Sequence, residues 1–381
     1  MYRLTRGVAG NLPGATVAVP PGGLHGVRCS SNPNRVAASL EGSVIRSLLS
    51  PSSPNRRCSA SDVRSVVAES STSPASVSGS GAPAASCPLK GRFMLPALEV
   101  AQLMQASGQT MDQFLASLIK PASMLARPPV SGYHVGAAGV GSSGSVYVGV
   151  NLEFRGTGLN NSVHAEQFLV VNCLHHGEAS LRMLAVSAAP CGHCRQFYSE
   201  LVGSDDVAFI FGDDPRPRLL GELLPERFGP ADLADDPFPL LLQPHDNWVS
   251  YSAPALRVLE QRNEDQELRT AAHEALVAAK TAYSPYTHCP SGAAIISSAG
   301  QVFSGGSIES AAYNPSLSPF HAAYINGVTK GLSGFSDIAE VVLAEVKGAK
   351  VSHRANVRAL LRAVAPKAKF TVLPLRHDSP R

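Results

Sequence analysis

Cys191 and Cys194, in Pro190-Cys191-Gly192-His193-Cys194, answer an upstream His164-Ala165-Glu166, with Cys191 27 residues after His164. One imidazole and two thiolates supply three donors, and a zinc ion with three protein ligands keeps its fourth position for water. Zinc would lower the pKa of that water toward neutrality. Glu166, two residues past His164, is near enough to reach the water without binding the ion. A carboxylate so placed can take up a proton and return it elsewhere, which is general acid–base work. A His with two thiolates also leaves the centre formally neutral, so it should acidify water more than three thiolates would. Either half of the pattern alone is weak; the pair at this spacing is specific.

The flanking residues say what must hold these groups. Asn161 and Ser162 are good N-cap types, and Phe168, Leu169, Val170, Val171 and Leu174 follow as a buried helix would. A helix is therefore predicted to start at 161–162, with His164 and Glu166 in or near its first turn. Residues 181–189 predict a buried strand ended by Pro190, and a second helix follows from about Cys191 through Leu201. Both ligand groups then lie at helix N-termini, where free N–H groups and the dipole favour thiolate over thiol. Asn151 and Glu153 end a predicted strand on one face, 13 and 11 residues before His164. They offer donors and acceptors suited to sugar hydroxyls.

A chain of 381 residues is long enough for two domains, and 44% hydrophobic content with a mean hydropathy of +0.03 fits a globular protein. No run approaches 18 consecutive apolar residues, so no membrane span is expected. The net charge of +3 is uneven. Residues 1–90 hold nine Lys/Arg and three Asp/Glu, whereas 91–381 hold 23 and 26. The folded part is thus slightly acidic, which argues against a nucleic-acid partner. Seven unpatterned cysteines do not form a secreted disulfide framework. The segment 1–90, with 18 Ser and few acids, reads as a disordered N-terminal extension and a possible transit peptide. The expected compartment is the cytosol, or a plastid or mitochondrion if that extension is a transit peptide. Cys29, Cys58 and Cys87 fall there and are assigned no chemistry.

In chain order, 95–105 and 111–118 have helical spacing, and Pro121 and Pro128-Pro129 are expected to break the chain. Residues 133–140 and 145–150 predict a hairpin about Gly141-Ser142-Ser143-Gly144, and 207–211 another strand. His175-His176 reads as a solvated helix end, Cys173 as core, and His134 as a strand residue with a backbone partner. The stretch 92–212 is taken as a catalytic zinc domain, 213–264 as a Pro-rich connecting segment, and 265–381 as a second domain. That second domain repeats the first. Gly136 precedes Asn151 by 15 residues and Gly292 precedes Ser307 by 15, Ser307-Ile308-Glu309 stands where Asn151-Leu152-Glu153 stood, and His321-Ala322-Ala323 matches His164-Ala165-Glu166. No Pro-Cys-x-x-Cys follows, so the copy keeps a fold and lacks a metal site.

These motifs resemble the two-domain cytidine deaminases of plants and bacteria. The resemblance covers 92–381 and rests on Val135-Gly136-Ala137, Asn151-Leu152-Glu153-Phe154, Ser162-Val163-His164-Ala165-Glu166-Gln167 and Ala189-Pro190-Cys191-Gly192-His193-Cys194-Arg195-Gln196-Phe197. H-x-E…P-C-x-x-C is the signature of zinc deaminases generally. The resemblance implies an α/β class, three-layer α/β/α fold with a mixed sheet, duplicated in one chain, and a homodimer with active sites near the subunit interface. It implies a hydrolase that converts cytidine and 2′-deoxycytidine to uridine and 2′-deoxyuridine plus ammonia, a step of pyrimidine salvage. By the same carry-over His164, Cys191 and Cys194 bind one Zn²⁺ per subunit, Glu166 shuttles protons, and Asn151, Leu152, Glu153, Tyr133 and Ala165 bind substrate. Phe228 corresponds to an aromatic supplied from the partner subunit.

Two rivals stay open at this point. Cys191-Gly192-His193-Cys194 is also a dithiol sequence of thioredoxin-like redox proteins, although Pro190 rather than Trp precedes it and His164 and Glu166 are then unexplained. Deamination of a polynucleotide base needs the same zinc and carboxylate. A closed structural zinc site would want a fourth ligand, and His193 is expected to point away from a C-x-x-C loop.

Overall fold

The computed structural model describes residues 88–212, 214–233 and 237–378. The expectations for 1–90, including Cys29, Cys58 and Cys87, therefore fall outside the described residues up to position 87. The compact unit that contains the described residues carries two sheets.

The first half contains β1 (Met94–Leu95), α1 (Ala97–Ser107), α2 (Met111–Ser123), β2 (Gly136–Gly141), β3 (Val146–Val150), α3 (Ala165–His175), β4 (Leu181–Val186), α4 (Gly192–Tyr198), β5 (Ala208–Phe211) and β6 (Asp214–Leu219). Its sheet runs β1-β3-β2-β4-β5-β6, antiparallel except for β4 beside β5. Successive residues of a strand face opposite sides. A Cβ on Gly136 would strike the backbone of α2, and one on Gly149 would fall 2.0 Å from the Ala165 carbonyl oxygen of α3. The two helices thus cover opposite faces, and glycine at 149 is what lets the N-terminus of α3 approach β3. α2 runs on past Pro121, contrary to expectation. The proline lies in its last turn, where losing one N–H removes a single bond near an end that frays anyway.

Two short helices, α5 (Leu220–Leu223) and α6 (Pro230–Leu233), lead into the second half. That half holds β7 (Val249–Tyr251), α7 (Ala253–Gln261), α8 (Gln266–Lys280), β8 (Ser291–Ser297), β9 (Val302–Gly306), α9 (Pro319–Thr329), β10 (Ile338–Val346), α10 (Arg354–Val364) and β11 (Lys369–His377). Its sheet runs β7-β11-β10-β8-β9, with β10 and β11 the parallel pair. The order β3-β2-β4-β5 of the first sheet recurs as β9-β8-β10-β11, so the fold is a three-layer α/β/α unit with a mixed sheet, present twice. Because β6 pairs with β5 and β7 with β11, the connecting segment narrows from the expected 213–264 to 220–248.

α8 covers the outer face of the second sheet, and α9 covers the inner face and packs against α3. Residues 165–173 are all buried, because α3 has the first sheet on one side and α9 on the other. Phe168 and Phe320 belong to one continuous core. No described helix is long and apolar enough to cross a membrane.

The repeat is real, but its frame differs from the sequence match. Val163 bridges Leu152, and Leu317 bridges Ile308 in the same antiparallel sense. The next residues, His164 and Ser318, each N-cap an eleven-residue helix. Asn172 donates to the Val148 carbonyl and Asn326 to the Ser304 carbonyl, which fixes the same offset further along. His164 therefore corresponds to Ser318, and Glu166 to Phe320. The pairing with His321 and Ala323 is corrected by three residues, because the connection from Ile308 to Leu317 is two residues shorter than that from Leu152 to Val163.

Candidate metal and substrate site

α3 begins at Ala165 with His164 as its N-cap, later than the expected start at 161–162. Residues 159–161 form a separate 3₁₀ turn, and Val163 is held in the bridge to Leu152. The His164 N–H donates to Gln167 Oε1 at 3.2 Å. Cys191 is the N-cap of α4, and Cys194 lies in its first turn. Arg195 fixes the loop before them: its Nε donates to the Pro190 carbonyl at 2.8 Å and a terminal nitrogen to the Leu223 carbonyl at 2.7 Å. β4 ends at Val186, leaving 187–190 as the turn that brings the thiols to His164.

His164 Nδ1 is 3.5 Å from Cys191 Sγ and 3.3 Å from Cys194 Sγ, and the two sulfurs are 3.7 Å apart without a disulfide. Tetrahedral zinc with its usual bond lengths separates two sulfurs by about 3.8 Å and sulfur from nitrogen by about 3.6 Å. The three donors fit one zinc ion. Cys194, buried, lends its thiol to Cys191, which pulls the Cys191 thiol down to about 3 while Cys194 stays well above the ordinary thiol range. His164 is raised by its contact with Cys191. Among the described residues this is the cluster of metal-binding types, and it includes a fourth member.

That member is His193, whose expected outward orientation is corrected. A ring nitrogen of His193 lies within 4.8 Å of the other donor atoms, and its ring centroid is 5.3 Å from that of His164. Its Nε2 meets the Asn314 carbonyl oxygen at 3.1 Å, and its Nδ1 is buried without a partner. The peptide turn after Cys191 is held inward by that bond from the second half, which sequence spacing gives no means of foreseeing.

Glu166 is 5% exposed, and burial raises its carboxyl above the ordinary range despite contact with Cys194. It lines a cleft of about 430 Å³ together with Tyr133, Asn151, Glu153, His164, Ala165 and Cys191. Leu152 and Phe228 do not line this cleft. Alternation at the strand end turns Leu152 into the core at 1% exposure, opposite to its two neighbours. Phe228 is 48% exposed, and its carbonyl accepts from Gln196 Nε2.

Asn151 and Glu153 carry more than the sequence suggests. Asn151 accepts the Val135 N–H and donates to the Tyr133 carbonyl, both at 2.9 Å. The Glu153 carboxylate accepts the N–H groups of Val130 and Ser131 and the Ser131 hydroxyl. In the second half Ser307 accepts the Ser291 N–H, and Glu309 accepts those of Tyr286 and Thr287. These positions tie a loop to the sheet in both halves, with or without metal donors nearby. His175 is also corrected from a solvated helix end. Its Nε2 meets the Ala322 carbonyl at 3.1 Å, because α9 packs over that end of α3.

Comparison with known proteins identifies this architecture. A family model described as cytidine and deoxycytidylate deaminase zinc-binding region matches residues 109–210 and again 220–358. Cytidine deaminase 1 of Arabidopsis thaliana is 39% identical over 296 residues, 74% of this chain and 97% of its own. The chain belongs to the cytidine deaminase family. Cytidine deaminase 6 of the same plant is 42% identical, covering 68% of this chain and 90% of its own, and the cytidine deaminase of Cronobacter sakazakii is 35% identical, covering 74% and 88%. The chain is thus a hydrolase of the deaminase type with zinc as the metal its family binds. The two family matches fall on the two halves, whereas the His/Cys cluster lies in the first. Gln167, Arg195 and His193 all sit inside the motifs; the types of the first two carried no chemical signal, and His193 was expected to point away.

Proposed function

We propose that the first half hydrolyses cytidine and 2′-deoxycytidine to uridine and 2′-deoxyuridine plus ammonia, as a step of pyrimidine salvage, with one zinc per subunit held by His164, Cys191 and Cys194. The observation that carries this reading is a buried carboxyl, Glu166, that lines a cleft of about 430 Å³ beside three donors spaced for one ion. Zinc bound there supplies Lewis acidity, which makes water a competent nucleophile at neutral pH. Water contributes the oxygen that forms the new C4–O bond, and the C4–N bond breaks. Glu166 accepts one proton of the attacking water and passes it to N3 of the ring, then takes the second from the new C4 hydroxyl and delivers it to the departing amino nitrogen, which leaves the C4 carbonyl. Its raised pKa suits a group that must hold the proton between those transfers. Asn151 and Glu153, held by the 130–135 backbone, are the residues we assign to the sugar, with Tyr133 and Ala165 along the ring.

The collar of the cleft supports a homodimer. Tyr133 and Leu159 line it yet are 61% and 77% exposed, apolar surface that a second copy would cover. Phe228, exposed and outside its own cleft, is the aromatic we assign to the neighbouring subunit's site. Metal analysis of the purified chain with an absorbance assay on cytidine and 2′-deoxycytidine tests the reading. One zinc per chain and turnover of both nucleosides are expected; a metal-free chain, or a zinc-loaded one inert toward both, overturns it.

A further inference from the structure

Gln167 is wholly buried, and its amide spans the two halves of the chain. Its Oε1 accepts the backbone N–H of His164 at 3.2 Å, and its Nε2 donates to the Pro315 carbonyl at 2.9 Å. One residue earlier in the same loop, the Asn314 carbonyl accepts from His193 Nε2. Two consecutive carbonyls of the second half therefore hold α3 at the residue that caps it and α4 at the residue between its two thiols.

The 310–317 loop is stiff enough to act as a fixed reference. The Ala311 N–H donates to Glu200 at 2.7 Å, and Ser310 N–H to the Ser316 hydroxyl at 3.0 Å. Tyr313 takes a φ of 59°, left-handed backbone that a non-glycine residue adopts only where its surroundings impose it. Leu317 closes the loop by pairing with Ile308. Glu200 is itself fully buried and also accepts the hydroxyls of Tyr283 and Tyr286 at 2.9 and 2.5 Å. Since Glu200 lies two residues past the end of α4, the loop is clasped to that segment at both ends: by His193 in the first turn of the helix and by Glu200 after it.

We propose that the 310–317 loop of the second half is a positioning element for the metal donors of the first, acting through Gln167 on His164 and through His193 on the Cys191–Cys194 turn. This rests on the reading of those donors as the zinc site. The half without a donor set is then needed for the geometry of the half that has one. Partners that orient metal ligands from outside the first coordination sphere typically affect metal affinity by 10–100-fold when removed.

The test uses the full chain. Zinc affinity of wild type, Gln167→Ala and Gln167→Glu is measured by competition with a chelating dye, and the visible spectrum is recorded after cobalt substitution. Gln167→Glu retains the acceptor for the His164 N–H and the length of the side chain but removes the donor to Pro315, so it carries the test if the alanine variant does not fold. Asn326→Ala, which deletes a buried amide bonded to the Ser304 carbonyl in the second half, is the control for a general loss of stability. The expected result is at least about a 10-fold weaker zinc affinity and an altered cobalt spectrum in both Gln167 variants. The Asn326 variant, at a comparable fall in Tm, should keep both at wild-type values. Wild-type affinity and spectrum in a folded Gln167 variant, or equal losses in Asn326→Ala, overturn the proposal. A wild-type chain that binds no zinc overturns the underlying site instead.

Discussion

Ser318 stands in the second half where His164 stands in the first. Each residue caps an eleven-residue helix and each follows a residue bridged to the end of a strand. The same place in the fold holds a member of the His/Cys cluster in one copy and an ordinary N-cap in the other, where the Ser318 hydroxyl accepts the His321 N–H at 3.4 Å.

Replacing that cap should therefore cost stability without touching the metal. Ser318→Ala is expected to lower unfolding free energy by about 1 kcal/mol in urea titrations, the usual magnitude for a lost N-cap. Zinc content should stay at the wild-type value; a fall in bound zinc would show that the second copy still shares the site.

Glu166→Ala should retain zinc and lose at least about 10²-fold in kcat, the lower end of general acid–base contributions. Cytidine turnover followed by absorbance, beside metal analysis of the same sample, gives the answer. Near-wild-type kcat would remove Glu166 from proton transfer. Cys191→Ala and Cys194→Ala are each expected to lose the metal, and stoichiometric zinc in both would refute the ligand set.

Asn151 and Ser307 form a matched pair of probes. Each accepts a backbone N–H at the entry to an interior strand of its sheet, Val135 for the one and Ser291 for the other. Asn151→Ala and Ser307→Ala should each cost about 1–3 kcal/mol, since a part-buried donor in the first case and a buried one in the second is left unpaired. Only Asn151→Ala should also raise KM for cytidine. Equal effects on KM would reduce Asn151 to a structural role.

The joint between the halves should be acid-labile. His175 and His321, at that joint, and His353, the N-cap of α10 in the second half, are each held at about 4, chiefly because burial disfavours the imidazolium. In the unfolded chain a histidine titrates near 6.5, so between those values the unfolded state binds more protons than the native one. Stability is then fully present above pH 6.5 and declines as pH falls toward 4. Urea midpoints at pH 7.5, 6 and 5 should fall in that order, and His321→Gln should flatten the decline. A midpoint independent of pH in this window would contradict it.

The residue types at 164, 166, 191 and 194, the order of strands and helices around them and the existence of a repeat are all legible along the chain. They reside in local spacing and in hydrophobic period. What only the tertiary structure decided depends on contacts between distant residues. The frame of the repeat is set by a bridge from Ile308 to Leu317 across a connection two residues shorter than its counterpart, and matching letters slid past that deletion. The contact of His175 with the Ala322 carbonyl, the inward turn of His193 and the span of Gln167 from His164 to Pro315 all require the second half to be in place. Hydrogen bonds across 121 to 148 residues leave no periodicity behind, so no reading of the chain by itself could have placed them.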